Sequence, residues 1–166
     1  MITSVADFVR YFNGVRRRTW TAVDRIPPAL AGWAPRPGEL TCAAIVRHLA
    51  GAERFFVARV VEDRWTDDLD VALTFADLEG ARVALASVHE EAAARLRALP
   101  DARLADTVAD LEGSPVRVWR FLMTMVEHEV HHRSQLDAWL ALAGTEPPQV
   151  FGYRMEDVVA RARRAT

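Results

Sequence analysis

The chain has 166 residues, of which 51% are hydrophobic and 27% charged, the profile of a single folded domain over residues 1–166. Its formal net charge of -2 argues against a nucleic-acid partner, because its 21 basic residues, all arginine, are scattered rather than clustered. No apolar run approaches the roughly 18–20 residues of a membrane span, and the N-terminus lacks the pattern of a secretion signal. We therefore expect a cytoplasmic protein with no membrane partner. The single cysteine, Cys42, excludes an intramolecular disulfide.

Apolar residues recur at three- and four-residue spacing along most of the chain, which predicts an all-α fold. Serine or threonine residues can cap the first two helices, and proline or glycine residues follow several helix ends. In chain order, the first predicted helix begins after a cap at Thr3 or Ser4 and ends near Arg25, and the second follows a cap at Thr41 and ends at about Glu62. The third runs from about Phe75 to Leu99 and the fourth from roughly Val116 to Ala143. The segment from about Met155 to Arg164 is predicted to be a short C-terminal helix or tail.

The connections between these helices are predicted from turn residues. The acidic segment Asp67–Asp70 marks a break after the second helix, and Gly144 is placed to cap the fourth. The segment Asp101–Pro115 fits either a short hairpin or an irregular loop. Four long helices with short connections predict an antiparallel four-helix bundle.

Three of the five histidines fall on the apolar faces of predicted helices. Side chains three, four and seven positions apart share a helix face, so His128 and His132 lie in the same stripe as Phe121 and Trp139. His48 lies on the apolar face of the second helix. Three imidazoles from two helices should therefore point into one interior.

An imidazole that is removed from water needs partners for its ring nitrogens. A divalent metal bound by an i, i+4 pair and a histidine from another helix would satisfy all three and keep one position open. The alternative is that each is a hydrogen-bonded core residue. His131 is interpreted as a supporting donor or a surface residue, and His89 as a solvated one. By its spacing alone, Glu53 is a surface or salt-bridged carboxylate.

The segment His128–His132 is also a literal match to H-E-x-x-H, in which the glutamate, here Glu129, is the general base of a zinc peptidase or hydrolase. The extended form of this motif is excluded, because Gln135 and Ala138 occupy the positions of its glycine and third histidine. Another third ligand could only be Glu146 or Glu156, and both follow a predicted helix end. A zinc peptidase or hydrolase is therefore a second alternative.

Two segments of the sequence resemble the DinB superfamily, which includes the YfiT-like proteins. They are Ile45–Phe56, which reads IVRHLAGAERFF, and Val126–Leu136, which reads VEHEVHHRSQL. The resemblance covers nearly the whole chain and includes the connection Trp33–Gly38 and Trp119. One departure is Ser134, where the family usually has glycine. Because this position lies beside the ligand face, we expect altered packing and not loss of a metal.

This resemblance implies a four-helix bundle, often dimeric, in which three histidines hold a divalent metal. A glutamate is common in the family at the position of Glu53, which makes that residue a candidate to support the ligands, together with Glu129 and His131. By position in the sequence, the metal ligands are His48, His128 and His132.

Family members with an assigned activity include thiol S-transferases that use bacillithiol or mycothiol, and a mycothiol-dependent maleylpyruvate isomerase. The resemblance thus implies a metal-dependent transferase, or a related isomerase or hydrolase, with zinc or nickel as cofactor. Its partners would be a small-molecule thiol, an electrophile and a second copy in a homodimer. Arginine-only usage indicates a GC-rich genome and favours mycothiol. The alternative is a metal-binding stress-response or binding module without turnover.

Overall fold

The computed structural model describes residues 2–66, 74–146 and 148–164. Within these ranges the fold is a helical bundle with a small hairpin, and the predicted all-α class is confirmed. Each of the described helices is too short or too polar to span a lipid bilayer. The elements in chain order are α1 (Val5–Val23), α2 (Cys42–Glu62), α3 (Leu78–Arg97), β1 (Thr107–Ala109), β2 (Pro115–Arg117), α4 (Val118–Leu142) and α5 (Met155–Arg164).

Helices α1, α2 and α3 begin where a side chain satisfies a free backbone N–H group. Ser4 and Thr41 cap α1 and α2, and each side-chain oxygen accepts the N–H of the residue three positions later. Helix α3 begins at Leu78 rather than at the predicted Phe75, because Asp77 provides its cap. The other ends differ from the prediction by one or two residues: α1 ends at Val23, α3 at Arg97 and α4 at Leu142.

The segment Asp101–Pro115 forms a 3-10 turn followed by most of an antiparallel hairpin, so of the two alternatives the hairpin is correct. Thr107 of β1 pairs with Arg117 of β2. Because β2 takes up residues 115–117, α4 begins at Val118, two residues later than predicted. The predicted break at Asp67–Asp70 lies outside the described residues.

Helices α1 and α4 run in one direction through the bundle, and α2 and α3 run in the other. One apolar cluster joins the first halves of α1 and α4 to the second halves of α2 and α3, and a second cluster joins the opposite halves. The antiparallel neighbours are α1 with α3 and α2 with α4. The expectation of short connections is wrong for α2 and α3, because Glu62 and Leu78 lie at opposite ends of the bundle.

A layer of buried polar side chains separates the two apolar clusters. All four long helices contribute to it, each at a position between its residues in one cluster and those in the other. Buried polar and charged groups need hydrogen-bond partners, and here they find one another. We call this group the polar layer; its main members are Arg16 and Thr19 of α1, Glu53 of α2, His89 of α3 and Glu129 of α4.

Candidate metal centre

Three histidines meet between α2 and α4, and we call them the three-histidine cluster. His48, His128 and His132 each offer one ring nitrogen, and these nitrogens lie within 4.8 Å of one another. His48 Nε2 and His128 Nε2 are 3.1 Å apart. The ring centroid of His132 lies 4.6 Å from that of His48 and 4.5 Å from that of His128. Within the described part of the chain, no other group of three potential metal ligands comes this close.

Helix geometry explains why these rings meet. His128 and His132 are one turn apart on α4, so their side chains project from the same face. Helix α2 packs against that face in the antiparallel direction, and it presents His48 to both rings. All three histidines are half-buried, which keeps one side of the cluster accessible.

Burial keeps the three imidazoles neutral at pH 7. In His128, burial and the nearby rings of His132 and His48 lower the pKa to about 3. Burial also lowers the pKa of His48. The pKa of His132 is lowered by burial as well, and its hydrogen bond to Gln135 offsets part of that effect. Neutral imidazole is the form that binds metals.

Gln135 orients one of the rings. His132 Nδ1 lies 2.8 Å from Gln135 Oε1, and because a carbonyl oxygen can only accept, Nδ1 carries the proton. The lone pair of His132 Nε2 is then free to bind a cation. Metal-binding histidines commonly donate their second nitrogen in this way.

The cluster fits a divalent metal ion. Two neutral imidazoles that face each other through Nε2 can share at most one proton, whereas a cation between them would accept both lone pairs. Three nitrogen donors with an accessible side match the catalytic type of site rather than the closed structural type. This donor set suits zinc, nickel and other borderline ions.

Arg16 is the centre of the polar layer. Its Nη2 donates to Glu53 Oε2 at 2.9 Å and to Glu129 Oε2 at 2.7 Å, and its Nε donates to both Glu129 oxygens at 3.0 and 3.1 Å. Thr19 Oγ1 donates to Glu129 Oε1 at 2.6 Å. The carboxylate of Glu129 therefore accepts hydrogen bonds from side chains of α1, although the residue directly follows His128 in the sequence.

His89 is not solvated, which corrects its interpretation from the sequence. Its Nδ1 lies 2.8 Å from Glu53 Oε1 and its Nε2 lies 2.9 Å from Asn13 Oδ1. The charged residues that follow it, Glu90 and Glu91, are exposed. Because successive helix residues are rotated by about 100°, His89 faces the bundle interior while these two face outward.

The other residues considered from the sequence lie outside the three-histidine cluster. His131 is exposed, and its ring centroid is 4.9 Å from that of His132. Glu146 is exposed and forms an ion pair with Arg154 at 2.9 Å. Glu156 is exposed on α5. Neither glutamate belongs to the group of potential metal ligands.

Arg16, Thr19 and Asn13 also belong to the hydrogen-bond network of the polar layer, and the sequence did not predict them. A signal for the first two was present, since Arg16 and Thr19 follow Phe12 by four and seven residues and thus share its apolar face. A charged residue in such a stripe indicates a buried ion pair. Its partners cannot be read from local spacing, because they come from other helices.

Comparison with known proteins assigns the family. The family model of the DinB superfamily matches residues 11–136. The chain belongs to the DinB superfamily. No functionally curated protein matches this DinB chain.

Two solved structures share its fold. A DinB-like protein from Bacillus cereus ATCC 10987 is 20% identical, with a TM-score of 0.73 over 89% of this chain and 98% of that chain. A DinB-like protein from Bacillus subtilis is 21% identical, with a TM-score of 0.67 over 87% of this chain and 96% of that chain. At this identity, the two structures support the bundle architecture alone.

Proposed function

We propose that this DinB protein binds one divalent metal through His48, His128 and His132 and uses it to transfer a low-molecular-weight thiol to an electrophile. The observation that carries the proposal is the three-histidine cluster, whose donor nitrogens lie within 4.8 Å of one another. Its rings are half-buried, so one side of the cluster is accessible to solvent. Zinc or nickel, mycothiol as the thiol and a homodimer remain predictions from the family resemblance.

The proposed chemistry needs a thiol from outside the chain. Cys42 is buried, and burial raises the pKa of its thiol to about 11, so it is not a nucleophile near neutral pH. When bound, a divalent metal supplies a Lewis acid that lowers the pKa of a coordinated thiol. In the transfer, a sulfur–carbon bond forms, the leaving group departs with its electron pair, and the thiol proton passes to solvent.

The residues of the chain would hold and orient this centre. Gln135 sets the tautomer of His132. Arg16 links α1 to Glu53 of α2 and Glu129 of α4, the two helices that carry the histidines. The peptidase hypothesis is disfavoured, because Glu129, which would have to be its general base, accepts hydrogen bonds from α1 instead.

Metal content tests the proposal directly. Elemental analysis of the purified full chain should find one divalent ion per protomer, and His128→Ala and His132→Ala should lose it while their circular dichroism remains helical. His131→Ala is the matched control on the same helix and should retain the metal, because its ring is exposed and outside the cluster. A purified protein without stoichiometric zinc, nickel, manganese or iron would overturn the metal site.

Thiol activation is tested on the metal-loaded protein. Mycothiol should raise its melting temperature, since a compound that binds the native state stabilises it, and chelation should abolish conjugation of the thiol to an aryl halide. A protein that holds the metal but shows neither effect with mycothiol or bacillithiol would contradict the transferase and favour a module without turnover.

A further inference from the structure

A cavity of about 350 Å³ lies beside the three-histidine cluster, between α2, α4 and the tip of the β1–β2 hairpin. Its volume is at the lower end of the range for small-molecule sites. Four aromatic residues form its inner wall, and two of the residues at the hairpin tip are acidic. The aromatic residues are Phe55, Phe56, Trp65 and Phe121.

The aromatic wall continues into the three-histidine cluster. The Phe56 ring centroid lies 5.1 Å from that of Phe121 and 6.1 Å from that of His128. Phe55 stacks on Trp65 with their centroids 4.8 Å apart. An apolar group bound against Phe56 would therefore lie next to the cluster.

The hairpin tip holds its acidic residues over this wall by a defined turn. Asp110 Oδ1 accepts the backbone N–H groups of Glu112 at 3.0 Å and Ser114 at 2.8 Å, and Gly113 adopts the left-handed conformation at φ +82°. Leu111, between the two acidic residues, is 77% exposed although it lines the cavity. A bound apolar molecule would cover that side chain.

The charged residues in the described lining of the cavity are acidic. Its described lining contains Asp110 and Glu112 and no basic residue. Two guanidinium groups lie close to this lining, and each is paired with a carboxylate. Arg59 lies 4.9 Å from the Trp65 ring and pairs with Asp63 at 3.0 Å. Arg120 donates to Thr124 Oγ1 at 3.2 Å and pairs with Glu127 at 3.1 Å. Aromatic faces and carboxylates together attract an ammonium group and repel a carboxylate.

We propose that this cavity binds a small substrate that carries both an apolar group and an ammonium group, with the apolar group on the aromatic wall and the cation at the hairpin tip. The identity of this molecule as the electrophile rests on the proposed function, whereas its binding does not require turnover or a metal. The cavity thus selects against anionic substrates.

Three probes of similar shape and different charge test the inference. Binding of 2-phenylethylamine, 2-phenylethanol and 3-phenylpropionate is measured by calorimetry on the full chain. The amine should bind at least about tenfold more tightly than the carboxylate, from the combined weak attraction of two partly exposed carboxylates and the aromatic wall. Equal or tighter binding of the carboxylate, or no binding of any probe, would overturn the proposal.

Variants that remove charge test whether the hairpin tip causes the preference for the amine over the carboxylate. Asp110→Asn with Glu112→Gln keeps the oxygen that accepts the turn hydrogen bonds, so the hairpin should persist while the preference for the amine falls below about threefold. Glu90→Gln, which removes an exposed carboxylate from α3, should leave the preference unchanged. A preference that survives the double substitution would refute the role of the hairpin tip.

The two proposals fail separately. If His128→Ala lacks metal and still binds 2-phenylethylamine with an affinity within about threefold of that of the wild-type protein, the cavity binds the amine independently of the ion. A wild-type protein without metal that prefers the amine would contradict only the proposed function. A metal-loaded protein without the preference would contradict only this inference.

Discussion

Arg16 shows how one residue connects the core to the candidate site. It is 2% exposed, and its guanidinium meets carboxylates from α2 and α4. Burial alone would lower its pKa, but Glu53 and Glu129 outweigh this effect, so its pKa is raised above the usual value. The residue therefore remains a cation, and it neutralises carboxylates that would otherwise be buried without a counter-ion.

Arg16→Met is expected to destabilise the fold by about 3–5 kcal/mol, because it leaves two buried carboxylates without their cation. Denaturant unfolding followed by circular dichroism measures the loss. Arg17→Met is the matched control: its side chain is exposed on the same helix, and it should change stability by less than about 0.5 kcal/mol. A loss below about 1 kcal/mol for Arg16→Met would contradict the inference that the buried carboxylates of the polar layer need the cation of Arg16.

At the scale of elements, local sequence predicts helices better than it predicts the hairpin. Ser4 and Thr41 cap their helices as expected, because capping depends on neighbouring residues. The hairpin is anchored by a residue that is distant in the sequence, because Arg59 of α2 donates to the carbonyl oxygen of Ala109 at 2.9 Å. Such an anchor, 50 residues away in the sequence, leaves no periodic signal in the segment itself.

Helix α5 contributes little to the fold, because all ten of its residues are exposed. A helix of this length is marginal in water without packing. Truncation after Gly152 should therefore change the free energy of unfolding by less than about 0.5 kcal/mol and should leave metal content unchanged. Leu140→Ala, at a fully buried position near the end of α4, should cost about 2–5 kcal/mol in the same assay. A truncated protein that loses more than about 1 kcal/mol would show that α5 packs in solution.

At the scale of the whole molecule, the sequence predicts the three-histidine cluster but not the polar layer. Helix periodicity and the family resemblance both select His48, His128 and His132, and α2 and α4 pack so that the three meet. The contact of Glu53 with His89 depends instead on the relative direction and register of helices. The direction and register of the helices follow from the packing of the two apolar clusters. Each cluster draws residues from all four long helices, so no single segment of the sequence determines this packing.

The three-histidine cluster also makes the stability of the whole molecule depend on pH. In the unfolded chain, histidine has an ordinary pKa of about 6.5, whereas in the folded protein burial lowers the pKa of His48, His128 and His132. Below about pH 6.5, the unfolded state therefore binds protons that the folded state does not. Stability is fully present above that pH and is lost as the pH falls toward the folded-state pKa, which is about 3 for His128.

Urea unfolding in the presence of a chelator, between about pH 7.5 and 5, isolates this effect, because most carboxylates titrate at lower pH. We expect the free energy of unfolding to fall with decreasing pH, with His128 contributing a slope that approaches one proton, about 1.4 kcal/mol per pH unit. His128→Gln should reduce the slope by that amount. Added zinc should stabilise the protein at pH 7.5 and lose this effect toward pH 5, since protons compete for the same nitrogens. A slope that His128→Gln leaves unchanged would contradict the burial of a neutral imidazole at this position.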